Sequence, residues 1–176
     1  MKNIFFAIFM FATSSILFSQ TKEEIQESKI RLEKIQKLES PKVSSLTSLD
    51  ELNNKIGTSA LESANITPLL QNLYTRSIGE NIDGITDVTV KKPTLAECQE
   101  LATRIFSQVQ NMQTFSSSFS SVVEEAKSFR NPMKLGKVAS SMNYAKTAIS
   151  VLGEETLFQS KAIKSIITTL QSAGNL

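Results

Sequence analysis

Four basic side chains and two acidic pairs are the residues of this chain best placed to do chemistry. Lys127, Arg130, Lys134 and Lys137 are spaced i, i+3, i+7 and i+10, and no acid occurs from Ser128 to Gly153. On an unbroken helix that spacing gives one cationic stripe. Pro132 interrupts it, so the expected arrangement is a cationic cap at a turn between two helices. Such a cap is either a solvated turn or a dock for an anionic partner, an anionic membrane surface included. The basic residues fall short of the dense patch a nucleic-acid binder carries, so nucleic acid is not an expected partner.

The acidic pairs are Glu124-Glu125 and Glu154-Glu155. Adjacent residues on a helix point about 100° apart, so neither pair forms a shared acid–base site alone. Solvated or helix-capping carboxylates are expected, with Glu154-Glu155 at a helix start where the macrodipole favours negative charge. Carboxylate-bridged metal bundles also use Glu-x-x-His, and this chain has no histidine. The same absence removes Ser–His–Asp and Cys–His nucleophilic sites and Cys–His zinc sites. Serine–lysine chemistry survives in principle, but Ser128, Lys127 and Lys134 do not form the S-x-x-K setting of a penicillin-binding enzyme. No metal, cofactor or catalytic residue is therefore expected. The chain reads as a non-enzyme, with an unusual carboxylate or serine hydrolase as the least favoured alternative.

Cys98 is the single cysteine, so no intrachain disulfide can form. It falls in an apolar helical pattern with Leu95, Ala102 and Ile105, which reads as a buried small hydrophobe. The alternative is an intermolecular thiol, because an odd cysteine in an oxidising compartment can pair between chains.

The compartment follows from the first twenty residues. Lys2, an apolar run from Ile4 to Met10 and small polar residues before Gln20 make the three-part pattern of a secretory signal peptide. The run to Phe18 is short of the roughly twenty residues a spanning helix needs. Cleavage is expected after Ser19, leaving 20–176 as one domain outside the cytoplasm, periplasmic or released. The leader, short and rich in Phe and Ile, has a bacterial style.

About 156 mature residues suffice for one packed core without staples. Charge is uneven along them: residues 21–100 carry ten Lys/Arg against thirteen Asp/Glu, and 101–176 carry eight against four. Such asymmetry suits self-association or an anionic partner.

The elements that must position these residues are helices. Thr21 and Glu24 form a capping-box pattern before a first helix with a narrow, coiled-coil-like apolar stripe, ended by Ser40-Pro41. A second helix is expected from about Leu46 to Ala64. Thr67 as N-cap with Pro68 at the first helical position predicts a short third. Residues 80–93, with Asp83-Gly84, read as an ordered loop. Thr94 and Glu97 form a second capping-box pattern. After it, apolar residues recur at three- and four-residue steps to Phe129, predicting one long central helix of about 35 residues, roughly 50 Å. Its serine-rich stretch from Phe115 to Ser121 is a close-approach surface for another helix, a hinge, or a functional strip. The small-x3-small pairs Gly136–Ser140 and Ser117–Ser121 also suit close helix contact. Fifth and sixth helices are expected over Met133–Leu152 and Glu154–Ala173, divided at Gly153. The expected fold is all-α, an elongated bundle of five or six helices. The expected function is protein–protein contact, with a membrane-active, pore-forming protein as the alternative.

Overall fold

The computed structural model describes residues 22–173 except 82. The leader, its cut and the Thr21 cap lie outside the described residues. Within them the chain is all-α and has four helices: α1 Lys22–Lys37, α2 Thr47–Ser77, α3 Leu95–Ser128 and α4 Pro132–Ala173. The only bridge of β type among the described residues is the isolated pair Glu80–Thr86, inside the 80–93 loop.

Heptad spacing explains why there are four helices where five or six were expected. On α2 a buried seam joins Leu49, Leu52, Ile56, Ser59, Ser63, Ile66, Leu70, Leu73 and Ser77 in alternating three- and four-residue steps, with Asn53 and Thr67 buried beside it. On α4 the same alternation joins Val138, Ser141, Ala145, Ala148, Leu152, Glu155, Gln159, Ala162 and Ile166. Such a seam holds a helix against its neighbours along its whole length. Helix breakers inside the seam are overridden. Pro68 stands within the 31-residue α2, and the expected N-cap Thr67 is a buried mid-helix residue. Gly153 stands within the 42-residue α4, so Glu154-Glu155 lies far from any helix start. The long helix expected after Thr94 is present as α3, 34 residues, but α4 is longer, so it is not the single long element.

The serine-rich stretch does not break α3, and its serine hydroxyls bond within their own helix. Ser116, Ser117, Ser120 and Ser121 donate to the carbonyls of Met112, Thr114, Ser116 and Ser117, while Phe115 and Phe119 pack into the core against other helices. Their hydroxyls satisfy themselves on the preceding turn while the helix runs on. Ser117, Ser121, Gly136 and Ser140 are all solvent-exposed, so the small-x3-small pairs make no close helix contact. A Cβ added at Gly136 would meet nothing within 4 Å.

Two apolar cores stack along the bundle. One joins Leu49, Leu52 and Ile56 of α2, Met112, Phe115 and Val122 of α3, and Val138 to Leu152 of α4. The other joins Ile66, Leu70 and Leu73 with Cys98, Leu101 and Ile105 and with Phe158 to Ile166. This pairing makes α3 antiparallel to α2 and α4. Each fully buried Leu or Ile contributes roughly 1.5–3 kcal/mol. Helix α1 packs on α4 and α2 and does not reach α3. Its Ile35 joins the first core while Ser28 and Arg31 lie between the two cores.

The connectors are locally determined. Gly79 takes the left-handed backbone (φ 76°) that a helix C′ position requires, and closes α2. At the start of α3 the capping box is complete. The Thr94 N–H donates to Glu97 Oε2 at 2.6 Å, and the Glu97 N–H donates to Thr94 Oγ1 at 3.2 Å. Pro132 opens α4, where its missing N–H costs nothing, and the Asn131 side chain accepts the Met133 N–H at 3.1 Å.

Candidate functional site

Between the two cores lies a buried polar layer. Ser59 and Ser63 of α2, Gln108 of α3, and Glu155 and Gln159 of α4 all occupy seam positions. The Ser59 hydroxyl donates to Gln108 Oε1. The Gln159 amide donates to the Ser63 carbonyl and hydroxyl and to Thr67 Oγ1 at 2.9–3.1 Å. A further pair, Asn53 Nδ2 to Ser141 Oγ at 2.6 Å, lies within the first core.

Glu155 is the centre of this layer. Its side chain is 0% exposed. Oε1 accepts from Ser28 Oγ at 2.7 Å and from Thr67 Oγ1 at 2.8 Å, and Oε2 accepts from Arg31 Nε at 2.9 Å. Arg31 is 15% exposed at its side chain and lies 5.5 Å from the Phe158 ring centroid. The expectation of a solvated or capping carboxylate at Glu155 is thus corrected. Position 155 falls on the inner seam of α4, and α1 covers it. A carboxylate closed in by three donors is shaped to fasten helices. Its neighbour Glu154 points outward and is exposed.

The four expected basic residues are gathered at the α3–α4 turn. Lys127 ends α3 and is held at 2.7 Å by Glu124, with both side chains largely exposed. Arg130 sits in the turn, and Lys134 and Lys137 lie on the first turns of α4; all three are exposed. The first turn of α4 carries no acid. Cations at the positive end of a helix dipole weaken it, so stability does not account for Lys134. Beside them Met133 is 91% exposed, and Leu135 is also exposed.

Cys98 is wholly buried and free, in the second core. Burial raises its thiol pKa, with the Glu97 carboxylate adding to the effect. The expectation of an intermolecular thiol does not fit this position, because its Sγ cannot meet another chain while α3 stays packed.

A shallow depression of about 210 Å³ lies between α2 and α3, lined by Leu69, Leu73, Leu101 and two ion pairs. Arg76 meets Glu97 at 3.0 Å and Arg104 meets Glu62 at 2.8 Å. The Thr94 backbone N–H and the Arg76 guanidinium hold the Glu97 carboxyl down at about 2. Charges so paired close the depression across the helix interface. No three His, Cys, Asp or Glu side chains gather as a metal site would require among the described residues.

Sequence reasoning placed the basic turn and missed the polar layer. The missed signal is the register itself: extending each seam by three and four steps lands on Ser59, Gln108 and Glu155. Comparison with protein-family models, with curated proteins and with solved structures finds no match for the chain.

Proposed function

We propose that the mature chain is an exported, non-enzymatic helical protein that acts through protein–protein contact, as an accessory or structural component of a cell-envelope assembly. The observation that carries this reading is the α3–α4 turn. Arg130, Lys134 and Lys137 are exposed, unmatched by acid on the first turn of α4, and set beside exposed Met133. A cationic rim around an exposed apolar side chain is the surface chemistry of a partner-binding site. The signal-peptide pattern of residues 1–19 supports export, and the engagement of Glu155 in fastening helices supports a structural use of the interior carboxylate.

The test is retention by the envelope fraction of the producing cell. Tagged wild-type protein is compared with the R130E/K134E/K137E variant at low and high salt. A discrete protein held by the wild type and lost with the variant or with salt is the expected result. A mature chain that runs as a compact monomer and retains nothing overturns the reading. The intact mass of the exported form checks the cut after Ser19.

Membrane action is the second reading, favoured by Met133 and Leu135 standing exposed among cations. None of the described helices is long and apolar enough to cross a membrane, so surface binding would have to come first. Dye release from anionic vesicles supports it, and intact vesicles at saturating protein remove it.

A further inference from the structure

Two surfaces at opposite ends of the bundle carry charge that the chain itself does not answer. The α3–α4 turn lies where α3 ends, and the connector from Ile78 to Thr94 lies where α3 begins, about 50 Å away at 1.5 Å per residue. From Ser128 to Gly153 there is no acid. From Ser77 to Val90 there is no base, and the acids are Glu80, Asp83 and Asp87. No ion pair among the described residues uses Arg130, Lys134, Lys137, Glu80, Asp83 or Asp87. The flanking charges are engaged elsewhere. Glu124 holds Lys127, Glu125 accepts from Ser48 Oγ at 2.6 Å, and Arg76 is bound to Glu97. Lys91 and Lys92 follow the acidic tip in the chain, just before α3.

The connector holds apolar side chains out in water. Its backbone is pinned by its own bonds. The Asn81 N–H donates to the Ile85 carbonyl at 2.9 Å, Asn81 Oδ1 accepts the Asp83 and Ile85 N–H groups at 3.0 Å, and the Asp87 N–H donates to the Gly79 carbonyl at 3.0 Å. The Asp87 carboxylate accepts from the Thr89 N–H and hydroxyl at 2.8 and 2.7 Å. On this frame Val88 is 99% exposed and Ile85 63% exposed. A loop fixed in this way loses little freedom on docking, so it is preorganised for contact. At the other end of α3, Met133 and Leu135 stand exposed among the cations. The two ends are alike in apolar content and opposite in charge.

We infer that the α3–α4 turn takes a second copy of this chain, docked head to tail through its 78–90 tip. Met133 and Leu135 meet Ile85 and Val88, and Arg130, Lys134 and Lys137 meet Glu80, Asp83 and Asp87. Complementary charge fixes which ends pair, and it repels turn from turn and tip from tip. An anionic membrane would use the turn and leave the exposed apolar tip unexplained; a second copy accounts for both. Because the two surfaces lie at opposite ends, two copies cannot join through both at once. The contact is heterologous and builds an open row of copies. The inference rests on the reading of the turn as a protein-binding surface.

The test is light scattering of the purified mature chain over a range of concentrations. Two tips bury less than a standard interface, so the contact is weak and is read at high concentration and low salt. The wild-type average mass is expected to rise with concentration past twice the single-chain mass and to fall back in high salt. R130E/K134E/K137E alone and E80K/D83K alone are expected to hold the single-chain mass, because like charges then meet at every contact. Their 1:1 mixture is expected to regain growth, since each turn finds opposite charge on the other variant's tip. Wild type at single-chain mass throughout, or a mixture that stays there, overturns the inference. Val88→Ser changes a side chain exposed in the single chain, so helix content and melting should hold while self-association weakens about tenfold. Unchanged self-association in V88S also overturns it. No envelope is present in these measurements, so the two readings part. Growth without envelope retention upholds self-docking against the envelope reading, and retention by a chain of single mass does the reverse.

Discussion

Replacing Arg31 by Met tests how α1 is held. Met keeps an unbranched side chain against Phe158 but removes the one donor on Glu155 Oε2. Breaking a buried ion pair from one side costs about 3–5 kcal/mol, because the remaining charge stays desolvated. Arg31 is 15% exposed, so some water can enter, and the lower end, about 3 kcal/mol, applies. Only α1 brings Arg31 to the site, so the cost falls on the closed position of α1. At 1.4 kcal/mol per factor of ten, α1 should open about a hundredfold more readily. Native-state hydrogen exchange reads this directly, since local opening sets the exchange of each segment. Amides of α1 from Ser28 to Ile35 should exchange about two decades faster in R31M. Amides in the centre of α3, which α1 does not touch, should change far less. An α1 effect below about threefold is what a surface ion pair gives, and would refute the buried clasp.

Other outcomes follow from the same structure. The Glu97 carboxyl is held at about 2, below its ordinary 4.5, so its contribution is full above 4.5 and lost as pH falls toward 2. Urea midpoints of wild type and E97Q should differ by a constant amount near neutrality and converge between pH 4.5 and 2. Pro68→Ala should raise stability by up to about 3 kcal/mol, because Pro68 interrupts a continuous helix. Gly153→Ala should add roughly 0.5–1 kcal/mol, since a Cβ there meets nothing. Thermal melts check both; a loss of stability at either position would mean that helices break there. The Cys98 thiol should resist a thiol reagent in native buffer and react fully in denaturant; equal rates would place Sγ at the surface.

Helical class, the long α3 with its capping box and the basic turn were all legible in the residues. Their determinants are local: Thr94 and Glu97 are three apart, and Asn131-Pro132 are adjacent. Helix number was not legible, because local signals at Thr67-Pro68 and Gly153 were opposed by packing at a distance. A proline with Thr before it reads as a helix start, yet Thr67 is needed at Glu155, eighty-eight residues away, and Ile66 and Leu70 continue the seam. Glu155 was misread for the same reason. Hydrophobicity marks the inner face only where seam residues are apolar, and here α2, α3 and α4 each place polar residues on it. Those positions can fix register, because a polar seam residue fits only a facing partner.

A double-mutant cycle across Arg31 and Glu155 tests the clasp between α1 and α4 most directly. Stability is measured by urea unfolding for wild type, R31M, E155Q and the double variant. Direct contact of a buried pair predicts that the double loss falls short of the summed single losses by at least about 1.5 kcal/mol. Additivity within about 0.5 kcal/mol, as for sites that do not touch, would contradict it.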